Sequence, residues 1–269
     1  MTESSAEFSY RALAREPRYA HYARIPARVC ACLEQFGAAC DRREVSERLL
    51  AYYLFIGVAD DAIDSRGPER GREILALLAR DDGATRGGVE TPTPVALAVE
   101  RLRRHMTTDV RARVLALLGE LYGAVVGERR APSLAAYVEE RRRVGRLTAE
   151  VSYALVEPLV TTGAGAAVGD FLARVGEVGC LLDSLVDLRA DARSGALGFT
   201  PTARDRLTLA RRAFADGARL LLARPRLAPL FLAAVADIVR DRRARGEAAE
   251  ARFEPRAAAA ALLPPEANG

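Results

Sequence analysis

Lysine does not occur in this chain of 269 residues, and all 40 basic residues are arginine. Together with the high Ala and Gly content, this bias is typical of a GC-rich genome, so the sequence pI of about 9.1 says little about partners. The arginine runs alternate with acidic residues or lie beside them, as on a solvated helix face. No RNA-binding aromatic motif or zinc-finger spacing accompanies them, and we therefore expect no nucleic-acid partner.

Histidine and cysteine are also scarce, with two and four residues respectively. Because there are only two histidines, we exclude His-based catalytic triads and His-rich metal centres. The cysteines form no Cys-x-x-Cys pair, so we expect buried free thiols rather than a zinc site.

Long apolar runs are missing too, since the longest, Leu49 to Ala59, is too short to span a membrane. The first residues, Met1 to Tyr10, lack the basic-then-apolar pattern of a secretory signal. Apolar residues make up 50% and charged residues 28% of the chain, which is an ordinary globular composition. We expect a cytoplasmic protein without a transmembrane segment, folded as a single domain over residues 1–269 with its core in residues 22–243.

Apolar residues recur at intervals of three and four along nearly the whole chain, which predicts helices and an all-α fold. Gly and Pro lie at the breaks between the periodic segments, as helix ends require. Pro158 falls inside the sixth predicted helix and is expected to kink it. The predicted helices cover residues 22–39, 43–65, 68–80, 93–105, 108–128, 133–161, 165–194, 202–222 and 226–243.

Three aspartates, Asp60, Asp61 and Asp64, close an apolar segment just before Gly67 and Pro68. On a helix Asp60 and Asp64 share a face, and Asp61 lies about 100° away. A helix C-terminus disfavours acids by about 0.3–1 kcal/mol each, and the like-charge pair adds several tenths more. We interpret this first acidic cluster as a site that needs a divalent cation. The alternative is an exposed acidic helix end that water and neighbouring arginines satisfy.

A second acidic cluster consists of Asp183, Asp187 and Asp191, at successive intervals of four residues. With a rise of about 1.5 Å per residue, they form a line roughly 12 Å long on one helix face. This helix also stops soon afterwards, at Gly195. Two such rows facing each other across a cavity would repel strongly, whereas roughly two or three Mg²⁺ ions holding a diphosphate would neutralise them. The two clusters together predict a metal–diphosphate site.

The two clusters resemble the metal-binding motifs of class I isoprenoid (terpenoid) synthases. The first is similar to their aspartate-rich motif, and the spacing of the second matches the second metal motif of terpene cyclases and of squalene and phytoene synthases. Phe199-x-Pro201 follows the second cluster much as the end of a Gly-Arg-x-Tyr-x-Pro element does in the squalene and phytoene branch, which the chain resembles best. The resemblance covers residues 25–225 and implies an all-α bundle around a central apolar cavity.

The resemblance implies Mg²⁺ as cofactor and an allylic prenyl diphosphate as substrate, which is ionised and whose carbocation is then cyclised or rearranged. It implies that all six aspartates of the two clusters hold the metal ions. Arginines before the second cluster are expected to bind the diphosphate, and aromatic and apolar side chains to line the cavity. The substrate-binding candidates are Arg142 and Arg146, chosen from the arginines at 141–143 and 146, together with Tyr52, Phe55, Ile56, Tyr153 and Arg252.

Two departures from the squalene and phytoene branch bear on the reaction. Val186 and Leu197 stand where that branch usually has arginines, so we predict a terpene synthase that acts on one substrate at a time. The alternatives are head-to-head condensation of two prenyl diphosphates, and a relative that binds prenyl diphosphate or lipid without catalysis. Chain-elongating synthases fit less well, because they carry an early Lys element and a second Asp-Asp-x-x-Asp. The resemblance also allows a homodimer and peripheral contact with a membrane.

Overall fold

The described part of the chain is almost entirely helical, which confirms the predicted all-α class. The computed structural model describes residues 5–19, 22–80, 93–161, 165–195 and 197–237. Its α-helices are α1 Ser5–Ala14, α2 Ile25–Gln35, α3 Arg42–Arg66, α4 Glu69–Ala79, α5 Pro94–His105, α6 Thr108–Arg130, α7 Leu134–Val156, α8 Gly165–Ser194 and α9 Ala203–Ala223. Residues 228–237 are also helical.

Short elements join some of these helices. Single 3₁₀ turns cover Tyr22–Arg24, Glu157–Leu159 and Pro225–Leu227. A two-residue strand, β1 (Ala39–Cys40), pairs antiparallel with β2 (Val160–Thr161). This small ladder, which the apolar periodicity did not predict, fastens the segment after α2 to the segment after α7.

Both ends of α3 are fixed by local interactions, and these set the position of the first acidic cluster in its last two turns. Asp41 caps the N-terminus of the helix, since its carboxylate accepts hydrogen bonds from the backbone N–H groups of Arg43 at 2.9 Å and Glu44 at 3.2 Å. Gly67 ends the helix with a φ of 90°, a left-handed backbone angle that glycine adopts without strain. Its N–H donates to the carbonyl of Ile63 at 2.8 Å, so the turn that carries the acids is well defined.

Three helix predictions need correction, of which the first, 22–39, is α-helical only over Ile25–Gln35 and ends in β1. The sixth predicted helix, 133–161, is not kinked at Pro158 but ends as α7 at Val156, and Pro158 lies in the 3₁₀ turn that follows. Proline has no N–H to continue the helical ladder, so ending the helix satisfies the backbone better than bending it. The periodicity also missed α1, which precedes the expected core.

The last predicted helix, 226–243, starts differently from the prediction. It begins as a 3₁₀ turn and is then α-helical over 228–237, while 238–243 lie outside the described residues.

Helix α7 connects the parts of the fold that carry the two acidic clusters. It packs most extensively against α8, then against α6, and it also contacts α3 and α9. The main hydrophobic core includes side chains of α7 such as Leu147, Val151 and Leu155, which are almost fully buried. Because α3 and α8 both pack against α7, the first and second acidic clusters are brought to the same side of the bundle.

The contact between α7 and α8 depends on two glycines. A Cβ atom at Gly145 would overlap the carbonyl oxygen of Gly176, and a Cβ atom at Gly176 would overlap the carbonyl oxygen of Gly145. The obstructing atoms belong to the backbone, so a side chain cannot move aside to make room. The two helices therefore approach as closely as their main chains allow.

We predict that Gly145→Ala destabilises the protein by about 1–3 kcal/mol, because the added methyl group pushes α7 away from α8. Gly119→Ala is the matched control, since Gly119 is an exposed glycine inside α6 with open space around its Cβ position. Its replacement removes only the poor helix propensity of glycine and should stabilise the protein by up to about 1 kcal/mol. Urea unfolding of both variants measures the two changes, and equal effects would contradict the close approach.

Candidate functional site

A cavity of about 310 Å³ lies between α3, α4, α6, α7 and α8. Most of its wall is apolar or aromatic, with side chains such as Phe55, Leu121 and Val144. Charged residues enter the wall from four different helices or helix ends. These are Asp60 on α3, Glu128 and Arg129 on α6, Arg141 on α7 and Asp183 on α8. The cavity therefore combines a large apolar surface with a set of converging charges.

The three acids of the first cluster have three different surroundings. Asp60 lines the cavity. Asp64 is ion-paired with Arg129, which also lines the cavity. Asp61 points towards the N-terminal segment and accepts hydrogen bonds from the Tyr19 hydroxyl at 2.6 Å and from Arg18 Nη1 at 3.1 Å. The helical offset of about 100° between neighbouring residues separates Asp61 from the other two acids.

The second cluster approaches the same charged region from α8. Asp183 lines the cavity and accepts a hydrogen bond from Arg141 Nη2 at 3.3 Å. Burial raises the pKa of Glu128, and the charge of Asp191 raises it further, whereas Arg141 lowers it. Asp191 is thus close enough to Glu128 to interact with it electrostatically. Asp187 is half-buried on the helix between Asp183 and Asp191.

Arg141 links the two acidic regions. Its Nη1 donates to both carboxylate oxygens of Glu128, at 3.3 and 3.2 Å, and its Nη2 donates to Asp183 and to the carbonyl of Cys180. Its Nε is buried and has no hydrogen-bond partner among the described residues. Only 16% of the Arg141 side chain is exposed, so these carboxylates fix the guanidinium at the cavity wall.

Asp60 is the acid of the first cluster whose surroundings most clearly disfavour its charged form. Burial raises its pKa to about 6, and the neighbouring charges of Asp64 and Asp61 raise it too, against the lowering by Arg129 and Arg141. Asp60 is exposed by accessible surface, since the cavity that it lines is partly open, but the protein around its carboxyl group removes part of its hydration. The two arginines therefore compensate the negative charge only in part.

Carboxylate groups are the ligands that Mg²⁺ prefers, so the donor chemistry of the charged wall fits this ion. Within the described ranges, no three Asp, Glu, His or Cys side chains lie close enough together to hold a metal. Arginines engage three of the six aspartates, since Arg18 binds Asp61, Arg129 binds Asp64 and Arg141 binds Asp183. These guanidinium groups occupy carboxylate oxygens that a cation would otherwise attract.

The other residues expected to bind substrate are divided between the cavity and its surroundings. Phe55 and Ile56 line the cavity. Tyr52 is fully buried in the core beside it, and Tyr153 is buried against the backbone of α8 near Gly165 and Gly169. Neither tyrosine contributes to the cavity wall.

The arginines named from the sequence have other partners. Arg142 is ion-paired with Asp216 on α9, and Arg146 lies 3.9 Å from the carboxylate of Glu150. Neither lines the cavity, whereas Arg141, one residue away, does. Arg252 lies outside the described residues.

Some residues of the cavity were not named by the sequence analysis, although signals for them exist. Tyr53 lies seven residues before Asp60, a spacing that places both on one face of α3. Glu128 lies in the last turn of α6, where an acid opposes the helix dipole as the two predicted clusters do. Arg129 follows it and carries the opposite charge. No pattern in the sequence points to the Tyr19 contact with Asp61.

A second cavity of about 300 Å³ adjoins the first. The two cavities share the wall residues Tyr53, Thr148 and Cys180. The second cavity is also mostly apolar, and its charged residues are Arg24, Arg28 and Asp237, with both arginines ion-paired to Asp237. The two cavities therefore meet at these shared residues, and Asp60 and Asp183 line only the first of them.

Comparison of this chain with protein-family models, curated proteins and solved structures finds no match. Relatives therefore assign no role to any residue of the cavity. Three features of the cavity therefore indicate its function: the charged side chains in its wall, its apolar lining, and the origin of its acids in two distant parts of the sequence.

Without metal ions, Asp60→Asn should stabilise the protein at pH 7.5 and have little effect near pH 4. The pKa of Asp60 in the folded chain, about 6, lies above the value of about 3.9 for an unfolded Asp, so folding stability falls as pH rises through this window. Asparagine removes that loss because it carries no charge. Thermal unfolding in EDTA measures the effect.

Asp170→Asn is the control for the Asp60 substitution, because Asp170 is exposed on α8 and lines neither cavity. Its effect on the melting temperature should be small and equal at both pH values. A stabilisation by Asp60→Asn that is larger at pH 4 than at pH 7.5 would contradict the assigned environment.

Proposed function

We propose that the protein is a class I terpene synthase, which ionises an allylic prenyl diphosphate and releases diphosphate. One observation supports the proposal. Asp60 on α3 and Asp183 on α8 line the same, largely apolar cavity, and Arg129 and Arg141 line it too. An apolar chamber suits a prenyl chain, and its charged region suits the diphosphate. The helical bundle is then of the isoprenoid-synthase type, with α3 and α8 as the helices that hold the metal.

Ionisation breaks the allylic C–O bond, leaves both bonding electrons on the diphosphate and creates an allylic cation. Asp60 and Asp183, with the other acids of their clusters except Asp61, which binds Tyr19 and Arg18 instead, would hold Mg²⁺, which when bound stabilises the charge on the diphosphate. Arg129 and Arg141 would donate to diphosphate oxygens, since the planar guanidinium group matches pairs of oxygen atoms. In the described structure both arginines bind carboxylates, so substrate binding exchanges these partners for phosphate oxygens.

The cation requires a wall that excludes water and attracts positive charge. Phe55, Tyr22 and Tyr53 supply aromatic rings to the cavity, and Ile56 and Leu118 supply aliphatic surface. The negative face of an aromatic ring stabilises a nearby cation. Transfer of a proton from the cyclised or rearranged cation to the released diphosphate then gives a neutral hydrocarbon.

The second cavity favours a second candidate function, head-to-head condensation of two prenyl diphosphates. It offers another apolar chamber of about 300 Å³ directly behind Tyr53, with Arg24 and Arg28 in its wall. Two arguments favour the single-substrate reaction. Both arginines are already paired with Asp237, and the position at which the squalene and phytoene branch has an arginine is Val186, whose surface is 46% exposed.

Incubation with geranyl, farnesyl or geranylgeranyl diphosphate and Mg²⁺ should release diphosphate from at least one of them, and EDTA should stop the release. Asp60→Ala and Asp183→Ala should each lower the rate by about 10²-fold or more, because each removes a ligand of the metal. Diphosphate release and mass spectrometry of extracted products measure the reaction. Products with the carbon number of one substrate support the terpene synthase, and doubled carbon numbers support condensation.

Asp170→Ala serves as the control for these two variants, since it removes an exposed aspartate from the same helix as Asp183. It should retain wild-type rates. Substrate binding without release of diphosphate in the wild-type protein would refute the enzymatic proposal and indicate a carrier.

Replacement of single arginines tests which of them binds the diphosphate. Arg141→Lys should lower turnover by about 10²-fold, because lysine keeps the charge but loses the paired donors directed at developing negative charge. Arg142→Lys should have little effect, since Arg142 pairs with Asp216 outside the cavity. Steady-state kinetics with melting temperatures measured in parallel separate a loss of catalysis from a loss of folding. Equal losses in the two variants would be inconsistent with the assignment to Arg141.

A further inference from the structure

The outer face of α9 exposes large apolar side chains. Leu207 is 53% exposed, Phe214 66% and Leu222 83%. Their spacings of seven and eight residues place all three on one side of the helix. The opposite side of α9 is buried, and its inward residues are Leu209, Ala213, Gly217 and Leu220. Because the inner face of α9 already packs in the core, the outer stripe takes no part in the packing among the described residues.

Positive charge lies beside this stripe, and it is compensated only in part, since Arg204 interacts with Asp205. Arg204 and Arg211 are exposed, Arg212 is half-buried, and none of the three forms an ion pair with a described residue. The two acids of α9 are engaged elsewhere. Asp205 completes the capping box with Thr202 at the start of the helix, and Asp216 pairs with Arg142 and Arg219. The outer face of α9 is thus apolar and basic at once.

An anionic bilayer surface satisfies both properties of this face. Amphipathic helices that lie in the membrane interface place Phe and Leu among the acyl chains and Arg among the phosphates. A second copy of the chain would bring two rows of arginine together, which like charges oppose. A nucleic acid would satisfy the arginines but leave the exposed leucines in water. None of the described helices is long and apolar enough to cross a bilayer, so only a parallel orientation remains for α9.

We propose that the outer face of α9 docks this protein on the surface of an anionic membrane. Leu207, Phe214 and Leu222 insert below the level of the headgroups, and the arginines at 204, 211 and 212 bind lipid phosphates. On its inner side α9 shares a hydrophobic cluster with Leu181 and Leu188, which lie on α8 beside the second acidic cluster. The docked surface is therefore one helix layer away from the candidate site.

Cosedimentation with lipid vesicles tests this proposal. The probes are vesicles of phosphatidylcholine with about 30% phosphatidylglycerol, and vesicles of phosphatidylcholine alone. The wild-type protein should bind the anionic vesicles, and added salt should weaken the binding. Phe214→Asp and Arg211→Glu should each reduce the affinity by about tenfold or more. Phe214→Trp should preserve it, because Trp keeps an aromatic side chain suited to the interface.

Arg43→Glu is the matched charge control, since the Arg43 side chain is 88% exposed and lies on α3. It makes the same change in net charge as Arg211→Glu and should bind vesicles like the wild type. Circular dichroism shows whether each variant is folded. The proposal is overturned if the wild type does not bind, or if Arg43→Glu weakens binding as much as Arg211→Glu does.

Two further measurements separate the membrane from other occupants of this face. Light scattering in solution should give the same mass for the wild type and Phe214→Asp. A dimer that Phe214→Asp dissociates would overturn the proposal in favour of self-association. Binding to RNA or DNA that Arg211→Glu abolishes, without vesicle binding, would overturn it in favour of a nucleic-acid surface. The vesicle assay requires no catalytic activity, so its result is independent of the proposed reaction.

Discussion

The placing of charged side chains in the wall of one largely apolar cavity is the constraint on which the rest of the structure depends. Asp60 and Asp183 come from helices far apart in sequence. Further acids follow each of them on the same helix, Asp64 after Asp60 and Asp187 and Asp191 after Asp183. Burial above all, and then the charge of Asp64, raises the pKa of Asp60, against the lowering by Arg129 and Arg141. A protein selected for stability alone would not bring acids from two helices into the wall of an apolar cavity. The arrangement is explained if it binds cations and a polyanion during function.

The fold holds this arrangement in place through α7. The helix contacts α3 on one side and α8 on another, and its glycine contact with α8 brings their main chains together. Arg141 extends from α7 to Glu128 and Asp183, so a single guanidinium joins three helices at the cavity wall. The apolar lining lowers the local dielectric constant and strengthens each of these interactions. Packing and electrostatics therefore act on the same small region.

Much of the secondary structure follows from local sequence signals, and much of the site does not. Gly67 and Pro68 fix the end of α3, and the position of the first acidic cluster follows from them. The choice between Tyr52 and Tyr53, or between Arg141 and Arg142, depends on which neighbour each helix face meets. Neighbouring residues on a helix point about 100° apart, so one of them lines the cavity while the next lies in the core. Sequence periodicity does not show which of the two neighbours lines the cavity. The helix that ends before Pro158 and the contact of Tyr19 with Asp61 likewise depend on tertiary neighbours.

Calorimetric titration with inorganic diphosphate tests most directly whether the two acidic clusters form one metal-dependent site. The account predicts that diphosphate binds in the presence of Mg²⁺, that EDTA weakens this binding by about tenfold or more, and that Asp60→Ala and Asp183→Ala each abolish the Mg²⁺ dependence. Diphosphate binding of equal strength in EDTA, or a Mg²⁺ dependence that survives in one of the two variants, would contradict it.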